Sequence, residues 1–300
     1  MSLPIRASVV LAAGMLSAGD SQPSVGEVLA QAGRYVERFK GEFKAVISDE
    51  RYQQRLRRTE DRDSRVIRTG GRRDIRSEML FLSLPDERTW LTVRRVHKVD
   101  SRLVADSWQR LEDILADAGP ARATRLRQLL DEGSRFNLGQ ISRNFSDSTL
   151  VLQFLQPAVQ PRFAFTFAGA TSVKGIDAWR LDFVERGSPT VVTLNGADVA
   201  SRGSVWIARD EGTVLETELA QSNEAIHLVA QIRVTFRRDA ALAMWLPVRM
   251  AEEYKQQQLG WWGTPPRTAI VNETIECVAT YSNFRRFETS GRIVPPPPRG

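Results

Sequence analysis

The sequence predicts an α+β fold: a strongly curved antiparallel sheet, a half-open β-barrel, with helices lying across its concave side. Three observations carry that prediction. One amphipathic stretch opens the folded region. Roughly ten alternating runs follow, more strands than a flat open sheet holds without curling. A β-hairpin is written plainly between Gly203 and Leu219. The 300 residues can bury a sizeable core, and 42% hydrophobic with 26% charged content fits an ordinary globular chain. With no internal repeat and no long linker, residues 20–292 read as one domain.

The N-terminus reads as an export signal, residues 1–19. Arg6 supplies a short positive region, Ala7 to Leu16 an apolar run, and Ser17-Ala18-Gly19 small residues for cleavage after Gly19. The apolar run is too short to span a bilayer, and the expected location is periplasmic or secreted. Ser24-Val25-Gly26-Glu27 has the form of a capping box. Behind it, Val25, Val28, Leu29, Ala32, Val36, Phe39 and Phe43 fall at helical spacing on one face. From Ala45 the period changes to two. Strands are expected at Ala45 to Leu56, Ile75 to Leu84 and Trp90 to Val99, as a meander. Two helices are expected between Trp108 and Leu130, bounded by Gly119-Pro120 and Gly133. Leu150 to Leu155 suits a short helix or a buried strand.

The second half is the clearest β region. Phe163, Phe165 and Phe167 alternate with polar or small residues, as do Trp179, Leu181 and Phe183. Thr190 to Leu194 reads as a short edge strand. Ile226, Leu228, Ala230, Ile232, Val234 and Phe236 form an apolar face. Leu246 to Tyr254 and Ile270 to Tyr281 close the series. The segment between them, Lys255 to Thr268, reads as a loop carrying Trp261 and Trp262. These indoles suit a contact with lipid or a partner, or one of them folds back over the sheet edge. The tail from Ile293 to Gly300, with four consecutive prolines, suits a disordered or polyproline segment.

The hairpin reads GSVWIARDEGTVLETEL. It resembles a hairpin of the periplasmic lipoprotein-carrier superfamily, in which Trp-Ile, a turn glycine, a valine and a glutamate recur. Trp206-Ile207, Gly212, Val214 and Glu218 match, whereas Ala208 stands where an aspartate is usual. The chain also looks like a group of secreted bacterial proteins. The resemblance implies an unclosed barrel lidded by helices over an apolar cavity. The residues expected to line such a cavity are Val36, Phe39 and Phe43 on the helix, facing Phe163, Phe165, Phe167, Trp179, Leu181 and Phe183 on the sheet.

Chemistry is sparse. The two histidines, His97 and His227, sit on distant strand-like runs without metal-binding spacing. Cys277 is alone, so an intramolecular disulfide and a cysteine zinc site are both excluded, and it shares an apolar face with Ile275, Ala279 and Tyr281. Asp49-Glu50 and Glu252-Glu253 are strand neighbours whose members point to opposite faces, so neither pair can act together as acid and base. There is no G-x-S-x-G elbow and no phosphate-cradling glycine loop. No cofactor, no metal and no catalytic residue is expected.

The net charge of +6 is mostly arginine, since lysine occurs only at 40, 44, 98, 174 and 255. Arginines are spread along the chain with acids interleaved, which argues against nucleic acid as a partner. The dense run from Arg51 to Arg76 reads as a solvated hairpin tip, with an anion or membrane-surface contact as the alternative. Two functions stay open. One is an exported carrier or sensor of an apolar ligand, an acyl chain or lipidated peptide, in a half-barrel cavity. The other is a secreted structural or interaction module with a packed core. Oligomeric state is not written in the sequence.

Overall fold

The computed structural model describes residues 22–43, 46–63, 65–83, 90–104, 135–139, 141, 147–194, 197–264 and 266–286. The expected leader, the helices expected between Trp108 and Leu130, and the Pro-rich tail lie outside these residues.

Helix α1 spans Val25–Phe43. The capping box forms: the Glu27 carboxylate accepts from the Ser24 backbone N–H at 2.8 Å, and the Ser24 hydroxyl accepts from the Glu27 backbone N–H at 3.2 Å. Those bonds hold the Glu27 carboxyl below its ordinary pKa. Val28, Ala32, Tyr35, Val36, Phe39 and Phe43 are buried along one face.

Strands β1 (Val46–Arg62), β2 (Arg65–Ser83), β3 (Trp90–Val99) and β4 (Arg102–Leu103) follow as the expected meander. A short helix α2 (Leu150–Phe154) and a 3₁₀ turn (Gln160–Arg162) lead into β5 (Phe163–Val173) and β6 (Ile176–Glu185). After β7 (Thr193–Leu194) and β8 (Ala197–Asp198) come β9 (Arg202–Ala208), β10 (Val214–Asn223), β11 (Leu228–Asp239), β12 (Met244–Trp262) and β13 (Arg267–Arg286). Eleven strands make one antiparallel sheet in the order β4-β3-β2-β1-β13-β12-β11-β10-β9-β6-β5. The edge strands β4 and β5 do not pair with one another, so the sheet is unclosed.

The sheet is also curved, and α1 shows why it must be. Trp90 on β3 packs against Phe39 with ring centroids 6.4 Å apart, while α1 also touches β5. In a flat sheet those strands would stand nine spacings apart, about 43 Å. A helix of 19 residues is only about 28 Å long. One helix can meet both strands only if the sheet curls around it.

Gly212 fixes the hairpin that the sequence shows so plainly. Its φ is +67°, and a Cβ there would lie 2.6 Å from the backbone of Gln31 on α1. The β9–β10 turn therefore sits directly on the helix, with room only for glycine.

Four expectations are corrected. Lys255 to Thr268 is not a loop: β12 runs on to Trp262 and β13 starts at Arg267, with turn residues at 263, 264 and 266. The β12 end has no fully buried side chain beyond Tyr254, so its sequence lacks a marked apolar face although the ladder with β13 continues. Strand β2 likewise begins at Arg65 rather than Ile75. The short strand at 193–194 pairs with β8 in a separate two-stranded sheet and is not an edge of the main one. His227 precedes β11 with φ +46°, capping a 3₁₀ turn, and takes no part in a strand face.

Candidate functional site

The inner face of the curved sheet divides into an apolar wall and a buried polar row. The wall is built by β5, β6, β9, β10 and β11, where period-two alternation sends every second side chain inward. Phe163, Leu181 and Phe183 are buried there; Phe165, Phe167 and Trp179 are half-buried. Helix α2 lays Phe154 on them, stacked on Phe163 at 4.6 Å and edge-on to Phe183 at 5.7 Å. Phe165 lies 6.1 Å from Phe183, and Phe167 lies 5.4 Å from Trp179, whose outer side is covered by Arg209 at 4.1 Å.

The helical residues expected to face this wall belong to the same contiguous core, but Phe39 and Phe43 turn elsewhere. Phe43 packs on Phe81 of β2 at 4.0 Å, and Phe39 on Trp90 of β3. Val36 is fully buried. The structure thus brings Phe163, Phe165 and Phe183 together under α2, and Phe39 and Phe43 together on β2 and β3. Trp261 is 73% exposed at the far end of β12, well outside either group. Trp262 ends the same strand.

The polar row was not legible in the sequence. Glu50 on β1 is buried and accepts two bonds from the Arg94 guanidinium, at 2.6 and 2.9 Å, and one from Ser77 at 2.6 Å. Burial works against the Arg94 charge, but the Glu50 carboxylate outweighs it and holds the guanidinium above its ordinary pKa. Glu252 on β12 accepts from Tyr52 at 2.7 Å and from Tyr254 at 2.8 Å. Arg94 lies over the Tyr52 ring at 4.6 Å, joining the two carboxylate groups into one cluster. Tyr281 stands opposite Glu50 in the ladder, and burial drives its phenol well above the usual range. Behind it Asp147 accepts from the Thr149 N–H and hydroxyl, both at 2.7 Å, while the Trp90 indole donates to that hydroxyl at 2.6 Å. Desolvation raises the Asp147 pKa against those bonds.

This row clamps β1, β2, β3 and β12 together. Both oxygens of Glu50 and both of Glu252 are held by fixed donors. The adjacent carboxylate pairs split as strand geometry requires: Asp49 faces out to Arg285 at 2.9 Å, and Glu253 faces out to Lys255 at 2.9 Å. Among the described residues no group of His, Cys, Asp or Glu could hold a metal ion. The signal that could have revealed the row is register. Glu50 pairs with Tyr281, and Glu252 with Cys277, on the face that Ile275 and Ala279 mark as inner.

An open recess lies beside α1. It measures about 660 Å³ and is lined by Gly26, Leu29, Ala30, Arg34, Glu37, Arg38, Pro157 and Gln160. Gln160 ties its walls together, donating to the Leu29 carbonyl at 3.0 Å and the Leu155 carbonyl at 2.7 Å. The floor is mostly carbon. Its charged rim carries Arg34 and Arg38, one helical turn apart, with Glu37 beside them, and neither arginine forms an ion pair among the described residues.

No family model matches the chain, and no curated protein matches it. Solved structures do. A DUF1329 family protein from Desulfovibrio piger is 11% identical, with 86% of this chain and 92% of that one covered at a TM-score of 0.28. An outer membrane lipoprotein-sorting protein domain from Vibrio parahaemolyticus, itself described as putative, is 11% identical, with 88% and 93% covered at 0.31. A LolA superfamily protein from Nitrosomonas europaea is 9% identical, with 89% and 94% covered at 0.29. The superfamily that the β9–β10 hairpin resembles is thus among the matches. Similarity of that degree carries no argument, and the site is read from its own geometry.

Proposed function

We propose that the protein is an exported carrier or sensor of an apolar ligand, with α1 and α2 acting as a lid on the half-barrel. The ligand is a single acyl chain bearing an anionic head, free or attached to a peptide. The observation that supports this reading is the recess along α1. Gly26 and Ala30 leave it deep at one end, while Arg34 and Arg38 continue the same helical stripe at the other. Over that stripe the helix rises about 18 Å. A recess of this size is within the range of small-molecule sites, and its few polar groups converge at one end. Arg34 and Arg38 at i and i+4 repel, Glu37 offsets part of that cost, and an anion placed between the arginines removes the rest.

The test is binding of palmitate to the purified protein, read by native mass spectrometry and by melting temperature. Palmitate should bind with one-to-one stoichiometry and raise the melting temperature with its concentration. Ala30→Trp fills the recess from an exposed position and should abolish binding with little change in stability. Retained binding in Ala30→Trp would move the site elsewhere, and absence of binding in the unaltered protein would overturn the reading.

A second reading, an interaction module with a packed core, is favoured by the ring contacts around Phe154 and the full burial of Val36 and Leu181. Val36→Phe separates the two for the inner face. A close-packed interior should lose about 1–3 kcal/mol to overpacking. A loss of palmitate binding without loss of stability would place the acyl chain between α1 and the sheet instead.

A further inference from the structure

The outward face at the far end of the four longest strands combines features that the fold does not use. Register aligns Val66, Asp61, Ile270 and Leu259 in one row across β2, β1, β13 and β12. Trp261 lies two residues beyond Leu259 on the same face. Their exposures are 49% for Val66, 44% for Ile270, 71% for Leu259 and 73% for Trp261. Four of the seven large exposed hydrophobics among the described residues therefore share one end of one face. Asp61 separates Val66 from the others, but Ile270, Leu259 and Trp261 adjoin one another, and such a cluster calls for an explanation where scattered apolar residues do not.

Behind the row the same face is basic. Arg55 and Arg72 are directly opposite one another across β1 and β2, and Arg68 stands between them and Val66. All three are exposed, and none forms an ion pair among the described residues. Like charges placed opposite on a sheet are destabilising for the fold alone. By contrast, Arg57 and Lys255 on this face have carboxylate partners, Glu276 at 2.6 Å and Glu253 at 2.9 Å. The excess positive charge is thus concentrated next to the apolar row.

We propose that this face docks on the surface of an anionic phospholipid bilayer. Leu259, Trp261, Ile270 and Val66 enter the boundary between headgroups and acyl chains. Arg55, Arg68 and Arg72 lie over lipid phosphates, and the charge complementarity relieves the Arg55–Arg72 repulsion. An exposed Trp suits such an interface because its ring is apolar and its N–H remains wet. Docking is separate from ligand carriage, since this face shares no residue with the recess along α1.

The test is flotation with vesicles of phosphatidylglycerol and phosphatidylcholine, against phosphatidylcholine alone, at physiological salt. The protein should float with the anionic vesicles only, and less so as salt rises. Leu259→Ser with Trp261→Ser should weaken partitioning about tenfold or more. Arg55→Gln with Arg72→Gln should weaken it about fivefold per arginine, the equivalent of roughly 1 kcal/mol for each basic residue at the surface. Melting temperatures should not fall, because every altered side chain is exposed, and the arginine pair variant should melt level or slightly higher as the Arg55–Arg72 repulsion is lost. Ala30→Trp should float like the unaltered protein, so failure of the acyl-binding reading leaves this result intact. Equal binding to neutral vesicles, or none to either, would overturn the proposal. So would self-association abolished by Leu259→Ser, or tighter binding to an oligonucleotide than to vesicles.

Discussion

Arg94 reaches Glu50 across the intervening strand β2, and the two side chains are 11% and 0% exposed. Replacing Arg94 with Met keeps the bulk and strands the Glu50 charge. Denaturant unfolding should show a loss of about 3–5 kcal/mol. Adding Glu50→Gln to Arg94→Met should recover much of it, and a double variant as unstable as the single would show that packing, not charge, sets the cost. Tyr35 is the opposite case. Its hydroxyl is buried without a hydrogen bond among the described residues, and burial raises its pKa far above normal. Tyr35→Phe should leave stability equal or higher by about 1 kcal/mol. A clear loss in a thermal melt would mean that the hydroxyl has a partner after all.

At the scale of elements, the β9 strand depends on a residue with no side chain. A Cβ on Gly203 would overlap the carbonyl oxygen of Glu218 on β10 and lie 2.9 Å from the Phe183 ring on β6. Backbone cannot yield as a flexible side chain does, so Gly203→Ala should cost about 3 kcal/mol or more by overpacking. A cost below about 1 kcal/mol would mean that β9 and β10 can separate locally. Alternation made such elements legible. β3 has the bounds its period marks, and the α1 cap and face follow from Ser24, Glu27 and the spacing of Val28 to Phe43. What alternation could not mark were the ends of β1, β2 and β12, where no side chain is fully buried, and the start of β13, where only Ala269 and Val271 mark the inner face. Nor could it mark the Glu50–Arg94 and Glu252–Tyr52 clamp. A strand reading Glu-Arg-Tyr-Gln-Gln has the same polarity pattern whether its inner face is dry or wet. The recess escaped for another reason: Arg34 and Arg38 fall on the polar stripe of an amphipathic helix, and only the turn at Pro157 and Gln160 makes that stripe a wall.

At the scale of the molecule, Cys277 reports on the whole sheet. It sits on β13, the fifth of eleven strands, and is 2% exposed. No edge opening uncovers it. Labelling by a thiol reagent should therefore follow global unfolding, slow in native buffer and accelerating with denaturant in step with loss of the fold. Rapid labelling of the native protein would require β13 to separate from β1 or β12 without the rest.

The place of β13 has one more consequence. It is the last strand among the described residues, yet it fills the gap between β1 and β12, pairing Glu50 with Tyr281. Everything synthesised earlier leaves β1 and β12 as open edges. The central ladder closes a loop of more than two hundred residues, the kind of contact that slows folding most. Until β13 arrives, the sheet is two incomplete halves with unpaired borders. The two half-sheets, β4 to β1 on one side and β12 to β5 on the other, are joined only when β13 docks between them.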